Sequence, residues 1–533
     1  MAATAHLDTF VRDNLPPASQ QPVFRFDLPE LQYPQRLNAG SLLDRAVAMG
    51  EQRTAILYGG ETWSYGQLRA TANRIAHVLA DDPGFRPGAR VLLHGANTPW
   101  TVAAWFGIVK AGGVVVATMP LLRSGELAKV VAKAQISHAL VDHAFAEAVE
   151  GARLQTGRLA KVWWYGRGGD LEAATADKPA DFANLETASD DPVLIAFTSG
   201  TTGVPKGCVH FHRDVLAMVD TFSRHILKPE PDEIFCGTPP FAFTFGLGGL
   251  VIFPVAAGAA MAFPDKPGFD GLCEAVARHK VTTLFTAPTG YRALLKSCDT
   301  GVLKSLRKCV SAGEALPAAT AEAWRQATGI RIIDGIGSTE MIHIFISASG
   351  ADIRPGATGK AVPGFTAEIH DEQGRALERG QTGRLAVRGP TGCRYLADAR
   401  QTDYVKDGWN MTGDVYRLDQ DGYFWFVSRA DDMIVSSGYN IGAPEVENAL
   451  LKHPAVAEAA VIGQPDPERG QICKAFVVLK PEAEPSEALK AELQAFVKAT
   501  IAPYKYPRAI EFRADLPKTQ TGKLQRFRLR EPA

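Results

Sequence analysis

An α/β chain of at least two domains is what the sequence predicts, the first large, with sheets flanked by helices, and the second small and α+β. Two observations carry this expectation. The first half repeats a strand, turn, helix rhythm of the kind that builds parallel sheets, and near residue 431 the rhythm gives way to a compact unit of about 100 residues. A length of 533 residues also exceeds what one cooperative core normally holds.

Residues 54–58 read as a strand, with Gly59 and Gly60 as its turn. Ser64 and Gln67 have capping-box spacing, and Leu68, Ala72, Ile75, Ala76 and Leu79 then recur on one helical face. Short apolar strands follow at 90–94 and 114–117, with a helix at 99–110 between them. In the second unit the pattern predicts helices at 444–452 and 487–500 and strands at 456–462 and 472–479. The boundaries drawn are 1–430 and 431–533.

Composition narrows the function. The chain is 46% hydrophobic and 22% charged with a formal net charge of −1, so no overall field draws in nucleic acid or an anionic membrane. A small-molecule task is favoured. The seven cysteines are scattered without a C-x-x-C pair and read as reduced thiols of a cytoplasmic protein. The N-terminal residues show no basic start followed by an apolar core, so no secretory signal is expected. Residues 234–264 carry no charge and are long enough to span a bilayer, but Pro239, Pro240 and Pro254 interrupt them. A buried helix followed by a buried strand is the expectation there.

The sharpest motif is Thr198-Ser199-Gly200-Thr201-Thr202-Gly203-Val204-Pro205-Lys206-Gly207, directly after an apolar strand at 193–197. Hydroxyls and glycines at a strand end let backbone N–H groups approach an anion closely, and Lys206 adds a point charge. Phosphate is the natural guest. It is not a Walker A loop, since no Gly-Lys-Ser/Thr follows at the required spacing.

The whole string resembles the signature loop of the adenylate-forming superfamily, which holds acyl-CoA synthetases, peptide-synthetase adenylation domains and luciferases. Further motifs of that family follow in the right order over nearly the whole chain. The resemblance implies that ATP is cradled by Thr198, Ser199, Gly200, Thr201, Thr202 and Gly203 beside Lys206. In Asp334-Gly335-Ile336-Gly337-Ser338-Thr339-Glu340 it implies a Mg²⁺ ligand at Glu340 and a phosphate contact at Thr339, with Asp334 and Gly335 at the nucleotide. Gly313, Glu314 and Ala315 would line the adenine and acyl pocket, and Asp414 would accept both ribose hydroxyls. Arg429 would bond ribose or phosphates.

By the same resemblance the small domain is mobile. Asp431 would be its hinge, Lys523 the lysine it swings to the substrate carboxylate, and Gly438 and Tyr439 the loop lining the pantetheine tunnel after rotation. The implied reaction joins a carboxylic acid to coenzyme A through an acyl-adenylate, consuming ATP.

For the acid, the aromatic stretch around Phe243, together with Gly337 and the segment after Glu340, suits a flat ring. The run 338–345 resembles benzoate-type ligases, with His343 at the aryl pocket, and the stretch 26–34 resembles the 2-aminobenzoate branch. A neutral His343 would accept from an ortho amino group. Benzoate, a hydroxybenzoate and short or medium-chain aliphatic acids are the alternatives. Competing activities are carrier-domain loading, luciferase-like oxygenation and nucleotide sensing without chemistry. Beyond these small molecules neither nucleic acid nor membrane is an expected partner, and a monomer or homodimer is expected. His210 and His212, just after the loop, read as packing residues rather than site residues.

Overall fold

The computed structural model describes residues 3–198, 205–436, 439–518 and 524–530. Among the described residues the strands form four sheets. One has six strands, in the order Lys161–Tyr165, His138–Asp142, Arg90–His94, Val114–Thr118, Pro192–Thr198 and Lys206–Phe211. It is parallel except for its last strand, which runs back against Pro192–Thr198 with Thr198 opposite Lys206. The phosphate-loop motif therefore joins the two arms of a hairpin.

A second, nine-stranded sheet has a parallel centre, Thr54–Tyr58 to Ile333–Gly337, and antiparallel edges. Strand alternation splits the six-stranded sheet between two cores. Val91, Leu93, Val115 and Ala117 face the second sheet and the helix Pro99–Lys110, which is buried except for Trp100. Leu92, Val114 and Val116 face the helices Ser124–Lys133 and Ala146–Thr156. The result is the expected α/β architecture with helices flanking sheets, and the strands and helices expected between residues 54 and 118 all form.

Two stretches differ from expectation. Residues 234–264 give an additional strand, Ile234–Gly237, before the helical stretch and the strand Ala260–Phe263. The helical stretch contains a π-helical insert at Gly248–Ile252. No helix among the described residues is long and apolar enough to cross a membrane. The reading of every cysteine as a reduced thiol is corrected by a Cys273–Cys298 disulfide, Cα–Cα 5.8 Å. Cys273 lies on the helix Gly268–His279 and Cys298 caps the helix Pro288–Ser297, so packing of the two helices makes a pair that a 25-residue spacing does not reveal.

A third, antiparallel sheet (residues 366–429) places Asp414 opposite Arg429. Past it, Ala443–Leu450 and Glu487–Thr500 pack on a five-stranded sheet that includes Val456–Asp466 and Gly470–Leu479. The expected helices and strands thus form here, joined by a hairpin, Met433–Ser436 with Tyr439–Gly442, and a parallel strand, Ala509–Phe512.

The start of the helix Tyr65–Ala80 is fixed by a full capping box: the Gln67 N–H donates to Ser64 Oγ (3.1 Å) and the Ser64 N–H to Gln67 Oε1 (2.7 Å). Ser64→Ala should cost about 1 kcal/mol, read as roughly fivefold faster hydrogen exchange of the amides in the first two turns. Unchanged exchange would show that packing alone holds this end.

Candidate active site

Three sheets meet at one cleft of about 1160 Å³. The hairpin arm contributes Lys206, the parallel sheet Gly313, Glu314, Ala315, Asp334, Gly335, Gly337 and Glu340, and the antiparallel sheet Asp414 and Arg429. Glu445 and Asn448 of the helix Ala443–Leu450, with Arg526, form the far wall. Ten of the sequence-expected site residues therefore line one space.

Its floor is the tight turn between Ile333–Gly337 and Ile344–Ser347. The turn closes through Met341 N–H to Ser338 O (3.2 Å) and Ile342 N–H to Thr339 O (3.2 Å). Side chains from outside strap it. Tyr404 Oη meets Ser338 Oγ at 3.2 Å, His210 Nε2 donates to Thr339 O at 2.8 Å, and Thr391 Oγ1 donates to Met341 O at 2.8 Å. Tyr395 Oη donates to Glu340 Oε1. Glu340 is only 7% exposed, and Lys206 Nζ lies 5.0 Å from the centre of the Tyr395 ring. Carboxylate and ammonium thus share one aromatic neighbour.

Behind the hairpin lies a buried ionic chain. Arg394 donates to Asp214 Oδ2 at 2.7 Å, and that oxygen lies 3.7 Å from His210 Nδ1. Burial by itself would raise Asp214, yet Arg394 and His210 hold it well below the usual carboxylate range. Burial also opposes charge on His210, but Cys208 and Asp214 outweigh it and raise the imidazole above its ordinary value. His212 packs as expected: its Nδ1 accepts from the Ala39 N–H at 3.0 Å, and burial holds it down at about 3.

Asp414 pairs with Arg429, Nη1 to Oδ1 2.9 Å, across neighbouring strands. Gly313 has φ +90°, a left-handed backbone that glycine adopts without strain. At Gly337 the constraint is space, because a Cβ would sit 2.7 Å from the His343 carbonyl oxygen.

Directly beyond Gly337, His343 is 3% exposed and surrounded by Phe253, Phe222 and Phe245 at ring-centroid distances of 4.7, 5.2 and 5.8 Å. Burial drops its pKa to about 3, opposed only in part by the Phe245 carbonyl, and neither ring nitrogen completes a hydrogen bond among the described residues. His343 is neutral. Gly248 makes room for it, since a Cβ there would meet its ring at 2.5 Å.

Other expected residues lie apart from the cleft lining. Phe243 is 37% exposed, just before the helix Thr244–Leu247, and Phe245 rather than Phe243 joins the His343 cage. Tyr439 is exposed and stacks on Tyr504 at 4.5 Å. Thr198 ends its strand, Thr339 turns its carbonyl to His210, and Asp431 is central in the short turn Ala430–Asp432. Ser199, Gly200, Thr201, Thr202, Gly203, Gly438 and Lys523 lie outside the described residues.

Sequence reasoning did not find Tyr395, Thr391, Tyr404, Phe222 or Phe253. Phe245 stood in the aromatic stretch around Phe243, but the others lie in segments with no motif of their own, and only the fold brings them together. For a metal, no group of three or more His, Cys, Asp or Glu is gathered among the described residues. Glu340, one of several carboxylates that line the cleft, fits Mg²⁺, which is usually bound by one or two carboxylates with substrate phosphates and water.

Burial raises Asp334 to about 7, offset in part by Ser311 and the Gly335 backbone. The folded chain therefore keeps this proton where the unfolded chain has lost it. Its contribution to stability is present below about pH 4 and is lost as pH rises through 7. Asp334→Asn cannot ionise, so its stability relative to the parent chain should climb between pH 4 and 7 and then level off in denaturant melts; a constant difference would contradict the raised value.

Comparison with known proteins agrees with this geometry. The family model described as AMP-binding enzyme matches residues 43–395, and that of the AMP-binding enzyme C-terminal domain matches 445–523. The benzoate–CoA ligase of Thauera aromatica is 36% identical, over 94% of this chain and 97% of its own. The mitochondrial acyl-coenzyme A synthetase ACSM3 of Homo sapiens is 33% identical, over 88% and 83%. The crystal structure of the anthranilate CoA ligase AuaEII in complex with anthranoyl-AMP superposes with a TM-score of 0.89 at 35% identity, over 94% of this chain and 98% of that one. The chain thus belongs to the AMP-binding enzyme family, among the AMP-forming acyl-CoA ligases of the adenylate-forming superfamily and on the branch of the benzoate and 2-aminobenzoate ligases.

Proposed function

We propose that this chain is an ATP-dependent acid–CoA ligase for an aryl acid, with 2-aminobenzoate its best substrate and benzoate next. The observation that carries the aryl reading is His343, a neutral imidazole inside a cage of phenylalanines, its ring nitrogens completing no hydrogen bond among the described residues. Aromatic walls suit a flat ring, and one imidazole nitrogen is an acceptor for an ortho N–H. The names of two relatives, a benzoate and an anthranilate ligase, support the same reading.

In this reading a carboxylate oxygen of the acid attacks the α-phosphorus of ATP, the anhydride bond forms and pyrophosphate leaves. Lys206 and Lys523 offset the charge that gathers as one oxyanion approaches another. Thr198 to Gly203 and Thr339 bond the phosphates, Glu340 would hold the metal, and Asp414 beside Arg429 accepts from the ribose diol. Gly313, Glu314, Ala315, Asp334 and Gly335 face the adenine side, while Gly337 and Phe243 border the acyl pocket. Mg²⁺, when bound, neutralises part of the phosphate charge.

Residues 431–533 then turn about Asp431, which withdraws Lys523 and brings Gly438 and Tyr439 to the pantetheine arm. The coenzyme A sulfur attacks the acyl carbon, the thioester forms and AMP leaves. The reading has the enzyme act on small molecules in the cytoplasm, as a monomer or homodimer.

The test follows AMP release with ATP and Mg²⁺ across 2-aminobenzoate, benzoate and aliphatic acids, with and without coenzyme A. Coenzyme-dependent turnover that favours the aryl acids is expected. Preference for unbranched aliphatic acids would overturn the aryl assignment, and transfer to a carrier protein or uptake of oxygen in place of thioester formation would overturn the ligase. His343→Leu removes the acceptor and should erode preference for 2-aminobenzoate over benzoate by about tenfold, the worth of one hydrogen bond; an unchanged ratio would show that the amino group is read elsewhere.

A further inference from the structure

Glu340 hangs on a turn whose backbone is held at the preceding residue, Thr339, by a histidine. The carbonyl of Thr339 can only accept, so His210 Nε2 carries the proton in their 2.8 Å contact. That carbonyl and the Glu340 N–H belong to one rigid peptide plane, so a bond on the carbonyl fixes the plane from which the Glu340 side chain departs. His210 is fully buried on the strand Lys206–Phe211, the strand that begins with Lys206.

The histidine cannot drift. Its Nδ1 edge faces Asp214, which Arg394 pins at 2.7 Å, and the Arg394 guanidinium is itself clamped between Phe24 (4.1 Å) and Phe211 (4.0 Å). Arg394, Asp214 and His210 are each wholly buried, which is costly for charged groups unless they are paired with one another as they are here. The chain of contacts ends at the Thr339–Glu340 peptide.

We infer that His210 is a positioning residue for the metal-binding carboxylate: through the Thr339 carbonyl it aims Glu340 at the metal that accompanies ATP. The inference rests on the proposed function, which gives Glu340 its metal. Two substitutions separate the edges of the imidazole. His210→Gln places an amide nitrogen near the Nε2 position and keeps a donor within reach of the carbonyl, whereas His210→Asn keeps a polar group toward Asp214 and falls short of it.

The measurement is calorimetric binding of α,β-methylene ATP, a non-cleavable analogue, in Mg²⁺ and in EDTA, below the melting temperature of each protein. The parent chain should bind more tightly with Mg²⁺. That metal-dependent gain should fall about tenfold in His210→Asn and be largely kept in His210→Gln, with binding in EDTA alike in all three. A gain that survives in His210→Asn, or equal losses in both variants, would overturn the inference while leaving the ligase reading intact. No gain in the parent chain would instead remove the metal role given to Glu340.

Discussion

Everything proposed for the reaction depends on one carboxylate, Glu340, which the five-residue turn 338–342 keeps 7% exposed and fixed in direction, as a group that is to hold a metal would need. A free turn of this length would fluctuate. Here every residue from Ser338 to Met341 is engaged by a side chain from another segment: Tyr404, His210, Tyr395 and Thr391. The straps are needed, because Ile342 closes the turn at φ +66°, a left-handed conformation that costs a β-branched residue about 1–2 kcal/mol.

The same strain has a consequence on the far side. By reversing the chain at Ile342, the turn delivers His343 into the phenylalanine cage while Glu340, three residues earlier, lines the cleft. In the proposed function, nucleotide end and acyl end would thereby be set by one stretch of backbone, with Gly337 close against the His343 carbonyl. Two π-helical segments, Val219–Leu227 and Gly248–Ile252, flank that histidine and contribute Phe222 and Gly248. Extra residues inserted in a helix re-aim the side chains that follow, a frequent device at functional sites.

What was legible in the sequence was local. The Ser64 capping box, the buried face of the helix Tyr65–Ala80 and the strands on either side of the helix Pro99–Lys110 need only neighbours in sequence to be recognised. The motif residues Lys206, Asp334, Glu340, Asp414 and Arg429 were found the same way, and the fold gathers them in one cleft. Illegible were the groups whose roles depend on tertiary approach. Tyr395 is an ordinary aromatic until the hairpin lays Cys208 beside it, and His210 reads as a packing residue until its edge meets the Thr339 carbonyl. Phe243 stood out for its place in an aromatic run, but a two-residue step along the chain gave the cage contact to Phe245. The Cys273–Cys298 pair has the same origin in helix packing.

In the proposed reaction the acid is activated on phosphorus before any thiol arrives. Exchange of labelled pyrophosphate into ATP, measured with 2-aminobenzoate and Mg²⁺ but no coenzyme A, tests this directly. Exchange that depends on the acid and proceeds without the coenzyme is the predicted result. Turnover that consumes ATP only when coenzyme A is present, with no acid-dependent exchange in its absence, would contradict it.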